Sequence, residues 1–300
     1  MKKVQILLST YNGEKYLEDQ LQSILSQDYP DITILIRDDG STDNTIDIIK
    51  KYLLLDSRIS YYHGTNIGAR NSFFDLMKNS DPTMDYYSLS DQDDVWKPNK
   101  ISSAIKKILN DDNTPVLYCS STTLVNENLK SIINTIRKPH IDPGFGNALV
   151  ENICSGCTCL FNAKLMDIIK KSIPEFTVMH DWWLYLCANA FGNVIYDENS
   201  YILYRQHAGN SVGSRSNYLD EFKKRYKDYK INRGQLIRQA KEFNRLFYNL
   251  DIEKVKLINL IMNSNSQVSS RLNIVFSNKI YRQRKLDNFI FKALFLLGIM

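Results

Sequence analysis

Nowhere in these 300 residues is there a run of the roughly 18 to 20 uncharged apolar side chains that a membrane-crossing helix needs. The longest apolar stretch, Phe291 to Met300, is too short and carries Lys292. Met1 to Asn12 hold two lysines and a brief apolar run, but neither an adequate hydrophobic region nor a small-residue cleavage site. A signal peptide is therefore not expected, and the expected location is cytoplasmic, peripheral at the inner face of the cell membrane. No GxGxxG and no GxxxxGK followed by Ser or Thr appears after any apolar run, which removes the dinucleotide fingerprint and the P-loop. Cysteine is scarce: of five, Cys154, Cys157 and Cys159 lie together, yet no second CxxC or neighbouring His pair completes a zinc tetrahedron. Reduced thiols in an apolar strand are the better reading.

With 43% hydrophobic side chains the chain can bury a sizeable core. Its net charge of +5 is unevenly spread. Residues 1–214 carry 20 Lys and Arg against 26 Asp and Glu, a net −6, while residues 215–300 carry 18 against 7, a net +11. This divides the chain into an acidic domain over 1–214, which holds the candidate site, and a basic, mostly helical extension over 215–300 suited to an anionic surface.

The acids concentrate at one point. The run from Tyr86 to Leu89 reads as a buried strand, and just beyond it stand Asp91, Asp93 and Asp94, three carboxylates in four residues. Buried strands of α/β sheets present functional side chains at their carboxyl ends. Like charges this close repel unless a cation is shared, and carboxylate oxygens suit Mg2+ or Mn2+ bridging to a diphosphate. The competing reading makes Asp94 a helix cap ahead of Val95, Trp96 and Pro98.

Three earlier apolar runs, Val4 to Ser9, Ile32 to Arg37 and Ile59 to Tyr62, each end in polar turn residues and lead into a helical pattern. Such alternation predicts an α/β fold with a mostly parallel central sheet flanked by helices, and loops carrying Asn12, Asp39, Asn66 and Asp91 gathered at one edge. Further strands are expected at Val116 to Ser120, from Ile153 through the cysteines to Phe161, and at Tyr201 to Tyr204. Gly156 permits close approach by a ligand or by neighbouring backbone, two readings the residues do not separate. Asp181 stands beside Trp182 and Trp183 at the head of an apolar helix, as an N-cap or as a general base whose pKa the indoles raise. Arg205, His207 and Asn210 share a loop suited to diphosphate or metal, although each residue type is more often found at the surface. Beyond Tyr281, basic Arg282, Arg284 and Lys285 precede Phe289, Phe291 and Leu294 in a tail like an interfacial amphipathic helix. A terminal helix packed on the main domain is the alternative.

Taken in order, the segments STYNGEKYL, IRDDGSTDNT, NIG, SDQDDVW, CSGCTCLFN, HDWW and YRQH resemble the family 2 inverting glycosyltransferases of GT-A fold, and within them the bacterial rhamnosyltransferase-like branch, over about the first 210 residues. The resemblance implies that Thr10, Tyr11 and Asn12 line a nucleotide pocket, with the Tyr11 ring against the base, Asp39 bonded to the base, and Arg70 assisting at base or phosphate. Asp91 and Gln92 belong to the same nucleotide-sugar site. Asp91 and Asp93 form the DxD element, Asp93 being the direct ligand of Mn2+ or Mg2+, and His207 adds a contact to metal or diphosphate. Asp181 matches the catalytic base, although the acid usual before it is His180 here. Gly156, Cys157, Trp182 and Trp183 fall on the acceptor side. The implied partners are a nucleotide-sugar donor, a lipid-linked glycan acceptor and the cytoplasmic membrane surface, with no nucleic acid. The donor would be dTDP-rhamnose or a UDP-hexose, and the product a surface polysaccharide such as capsule or O-antigen.

The chemistry agrees with that assignment. Inverting transfer needs one base on the acceptor hydroxyl and a cation to offset charge on the departing diphosphate. A metal-dependent nucleotidyltransferase and a non-catalytic nucleotide-sugar-binding protein are the alternatives; a two-carboxylate hydrolase would leave the nucleotide-type loops unexplained.

Overall fold

The structure, a computed structural model, describes residues 1–109, 113–133, 142–206 and 234–298. Its first part alternates β1 (Val4–Thr10), α1 (Leu17–Leu25), β2 (Ile32–Asp38), α2 (Thr45–Leu55), β3 (Ile59–His63), α3 (Ala69–Asn79) and β4 (Tyr86–Ser90). The four strands are parallel in the order β3, β2, β1, β4, with Val4 opposite Ile32 and Tyr86. Ile6, Leu7 and Leu8 are all sealed, which a sheet covered on both faces requires, and each contributes roughly 1.5–3 kcal/mol by burial. Register aligns the strand ends: Thr10 pairs with Asp38, and Asp38 with His63, so the polar turns gather at one edge as expected.

Beyond β4 come β5 (Val95–Trp96), α4 (Lys100–Ile108), β6 (Val116–Val125), β7 (Ser131–Ile133), β8 (Leu160–Asn162), α6 (Ala163–Lys171) and β9 (Asn193–Arg205), with α5 (Phe145–Ala148) before β8 and α7 (His180–Phe191) before β9. The sheet continues β4, β8, β6, β9, β5; β8 runs antiparallel to both neighbours, β9 parallel to β6, and β7 pairs with β6 from the side. One half is thus parallel and the other mixed, within an α/β fold.

Three local expectations change. Val95 and Trp96 form a strand against Leu203 and Ile202, and α4 starts after Asn99, so Asp94 caps no helix. The cysteine stretch is irregular from Ile153 to Ser155, turns through a short 3-10 helix at Gly156–Thr158 closed by Thr158 Oγ1 on the Ser155 carbonyl, and becomes strand only at Leu160. Strand β9 begins at Asn193 rather than Tyr201, because the register steps from Ser120 opposite Asp197 to Ser121 opposite Ser200 and lets Glu198 and Asn199 bulge out.

The chain divides into two compact units, one of residues 1–138, 154–173 and 191–209, the other of 139–153, 174–190 and 210–300. The division follows packing, whereas a boundary at residue 214 follows charge; residues 139–153 and 174–190 fall with the C-terminal helices. The first unit holds the sheet. In the second, α7 packs its Trp183 ring against Phe243 and Phe247 of the next described helix, α8 (Gln235–Leu246, ending beside Phe247). It is followed by α9 (Ile252–Met262), α10 (Val268–Phe276) and α11 (Lys285–Leu296). The tail is engaged from its start: Tyr281 Oη donates to the Asp142 carbonyl, Arg282 to the Val150 carbonyl, and Phe291 and Phe295 are buried. Among the described residues no helix is long and apolar enough to cross a membrane.

Candidate active site

In the first unit the end of β2 is organised by a buried carboxylate. Asp38, fully sealed, accepts from Thr10 Oγ1 at 3.0 Å, from the Gly40 and Ser41 amides at 3.1 and 2.8 Å, and from Ser41 Oγ. Gly40 makes this turn with φ +82°, a left-handed conformation that L side chains rarely adopt. Thr10, expected to line the nucleotide pocket, is a strut under the loop and 1% exposed. Tyr11 stands 46% exposed, and Asn12, at φ 47°, accepts from the Thr42 amide through Oδ1 at 2.9 Å.

Asp39 is turned inward. Its carboxylate takes Arg37 Nη1 together with the backbone amides of Ile67 and Gly68, both at 2.9 Å, and the residue is 2% exposed. The carboxylate expected at the base thus fastens the β3–α3 loop to β2. Arg70, one turn further on at the start of α3, donates through Nε to Asn71 at 3.1 Å.

The acid loop is fixed from two sides. Gln92 clasps Tyr11 with its whole amide, accepting from the Tyr11 amide at 2.8 Å and donating to the Tyr11 carbonyl at 3.0 Å. Gly13 makes room for that clasp, since a Cβ there would lie 2.3 Å from Gln92 Oε1. From β9, buried Arg205 donates to the Asp93 carbonyl at 2.8 Å and to Asp19 at 2.9 Å, while its own amide reaches Asp94 Oδ1 at 3.1 Å. Asp91, Gln92 and Asp93 stay half-buried, whereas Asp94 is sealed. Burial above all, then the charges of Asp93 and Asp91, holds the Asp94 carboxyl well above the usual carboxylate range. Lys100 lies below, its ammonium 3.6 Å from the Trp96 ring centroid and 3.2 Å from Ser88 Oγ, and burial pushes it down to about 8.

Asp91, Asp94 and Cys157 each bring a potential ligand atom to within 4.8 Å of the others. Asp93, expected as the direct metal ligand, is not in this group; a divalent cation would offset the repulsion that Asp94 feels from Asp93 and Asp91, and the carboxylates present fit one. Cys157, expected on the acceptor side, faces this cluster at 2% exposure, its thiol pushed up by burial and then by Asp94 and Asp91; neighbouring Gly156 is half-buried. His207 lies outside the described residues.

In the second unit Asp181 is the second residue of α7, half-buried, with Oδ1 on the Trp182 amide at 2.7 Å, and is not the N-cap. Trp182 donates its indole N–H to the Ala148 carbonyl at 2.7 Å. Trp183, expected on the acceptor side, is sealed in the aromatic core. Tyr185 Oη donates to Asn147 Oδ1 at 2.7 Å, Asn147 donates to Glu151 and to the Tyr281 carbonyl at 3.0 Å each, and Glu151 takes the Gln283 amide at 2.7 Å. The helix bearing Asp181 is thus braced by the segment at 281–283. Burial holds His180 neutral, its pKa down to about 3.

Sequence reasoning passed over Asp38, Lys100 and the clamp made by Arg205. Their one signal is a charged residue at the edge of an apolar run, which identifies no partner.

Residues 5–168 match the family described as Glycosyl transferase family 2. The dTDP-rhamnosyl transferase RfbG of Shigella flexneri is 34% identical over 229 residues, 72% of this chain and 77% of that protein. Among solved structures, S. aureus TarS 1-349 in complex with UDP-GlcNAc superposes with a TM-score of 0.61 at 16% identity, over 99% of this chain and 82% of that one. A mannosyltransferase, PcManGT of Pyrobaculum calidifontis in complex with GDP-Man and Mn2+, gives 0.54 at 13%, over 99% and 85%. At these identities the two structures speak for the fold, which is of the GT-A type. Matched by the family over more than half its length, the chain belongs to glycosyl transferase family 2 and is a glycosyltransferase.

Proposed function

We propose that the protein moves one sugar, with inversion, from a nucleoside diphosphate to a hydroxyl of a lipid-linked oligosaccharide during assembly of a bacterial surface polysaccharide. The observation that carries this reading is the acid loop, locked by Gln92 to the exposed Tyr11 at the sheet edge of a family 2 chain. Tyr11 offers its ring to the base and Arg70 a cation to the base or phosphate. Asp91 and Asp93 would hold Mn2+ or Mg2+, which offsets the charge growing on the departing diphosphate. Asp181 takes the proton of the acceptor hydroxyl, so the oxygen attacks opposite the leaving group and no covalent sugar intermediate is needed. The proposed donor is dTDP-rhamnose, supported by the 34% identity to a dTDP-rhamnosyl transferase, with a UDP-hexose as competitor.

The proposed place of action is the cytoplasmic face of the membrane. Helices α10 and α11 expose Leu272, Phe276, Leu286 and Phe289 in a stretch that carries Lys279, Arg284 and Lys285, the composition of an interfacial surface.

The test is a panel of nucleotide-sugars with Mn2+, reading the released product. Release of dTDP from dTDP-rhamnose is expected; release of pyrophosphate, or no turnover of any nucleotide-sugar, would overturn the reading. Co-sedimentation with anionic vesicles at low and high salt, for the full chain and for Phe276→Ser with Phe289→Ser, tests the location.

A further inference from the structure

Cys119, on β6, and Cys154, in the irregular segment ahead of the Gly156–Thr158 turn, place their sulfurs 2.7 Å apart. That is inside the contact distance of two unbonded sulfurs and longer than the ~2.05 Å of a disulfide, so the two are free thiols held in contact. The approach is set by the backbone. Strand β6 is registered on β8 at Leu117 opposite Phe161 and Tyr118 opposite Leu160, and the turn before β8 is closed by Thr158 Oγ1 and the Thr158 amide on the Ser155 carbonyl. The other thiols of the same unit are occupied elsewhere: Cys157 faces Asp91 and Asp94, and Cys159 donates to the Ser155 carbonyl at 3.5 Å.

We propose that Cys119 and Cys154 are a dithiol that closes reversibly to a disulfide, a modification site apart from the acid loop. With a peroxide as oxidant, one sulfur attacks the O–O bond, becoming a sulfenic acid as the first water leaves. The second thiol then displaces the sulfenic hydroxyl as the second water, and the S–S bond forms. Two thiols are oxidised and one hydrogen peroxide is reduced; a dithiol reductant reverses the step by exchange. Closure staples the segment from Cys154 to Cys159, which carries Gly156 and Cys157, onto β6. Both sulfurs are sealed, at 0% and 1% exposure, so oxidation proceeds through opening of the irregular segment, where Ser155 is already exposed.

The experiment treats the purified full chain with hydrogen peroxide, quenches it, and counts thiols after denaturation. Of the five cysteines, three should remain as thiols, and dithiothreitol should restore all five. Peptide mapping without reductant should join the Cys119 and Cys154 peptides at a mass lower by two hydrogens. Cys119→Ser and Cys154→Ser should each keep their four thiols through the same treatment, so a folding failure in one leaves the other informative. Five thiols surviving in the wild type even in urea just below its unfolding transition, a cross-link between any other pair, or oxidation to sulfinic acid without a cross-link would each overturn the proposal.

Discussion

The acid loop at Asp91–Asp94 and the helix carrying Asp181 both present carboxylates, and they are held by different kinds of force. The loop is pinned by polar contacts from far along the chain: Gln92 to Tyr11, and Arg205 to the Asp93 carbonyl and Asp19. Asp91 and Asp93 remain half-buried beside sealed Asp94, whose carboxyl burial and their charges hold above the usual range. Helix α7 is anchored chiefly by apolar burial, with Trp183 among Phe243 and Phe247, helped by Trp182 on the Ala148 carbonyl and Tyr185 on Asn147, and Asp181 rides at its head with Oδ1 on the Trp182 amide. On the proposed reading, the group that would hold a charged ligand sits in an electrostatically tense loop, and the group that would exchange a proton sits on a helix fixed by packing.

If that contrast is right, substitutions in the two regions fail differently. Asp93→Asn removes a charge from the tense loop and should lower turnover about a thousandfold or more, with loss of metal-dependent nucleotide binding and an unchanged circular dichroism spectrum. Near-native turnover in saturating Mn2+ would break the comparison at its donor side. Asp181→Asn should cost about a hundredfold in transfer while nucleotide affinity, measured by calorimetry, stays as it was. Equal loss of nucleotide affinity would make Asp181 a structural residue.

Arg205→Met tests whether the loop is clamped by polar contacts. Leaving the Asp93 and Glu127 carbonyls without their donor should reduce unfolding free energy by about 2–3 kcal/mol and weaken Mn2+ binding, both measured by thermal shift with and without metal. For α7 the corresponding probe is pH. The folded pKa of His180, about 3, lies below its unfolded value near 6.5, so between these values only the unfolded chain takes the proton. Stability should therefore fall as pH drops below about 6.5, by at most about 1.4 kcal/mol per unit from this group, and His180→Gln should flatten urea-melt midpoints between pH 6.5 and 4.5. The smallest effect belongs to Gln92→Ala: about 1 kcal/mol, read as a several-fold rise in the Michaelis constant for the donor with little change in melting temperature.

Much of the parallel half was legible because strands buried on both faces read as nearly continuous apolar runs, as in Val4 to Leu8, broken only by Gln5, and Tyr86 to Leu89, broken only by Ser88, and because acids follow β4 directly. Strand β5 was not, having two residues and a partner on β9 about a hundred positions away. The role of Arg205 rests on contacts 112 and 186 residues back along the chain, which no local pattern encodes. Asp39 was expected at the base, and its inward orientation, which depends on Arg37 and on two amides beyond β3, was not legible. The cysteine stretch misled for a further reason: small residues suit a strand and a tight turn equally well, and the Thr158 hydroxyl decides between them.

The bracing of α7 by residues 281–283 gives the order of synthesis a physical role. A chain emerging from the ribosome has made the motif residues of both regions by position 181, yet Asn147, Val150 and Glu151 still lack the partners supplied by Tyr281, Arg282 and Gln283. Until those three residues appear, the helix that presents Asp181 stands on an unfinished foundation. A product terminated before residue 281 would carry every motif residue with the helix of Asp181 still unbraced.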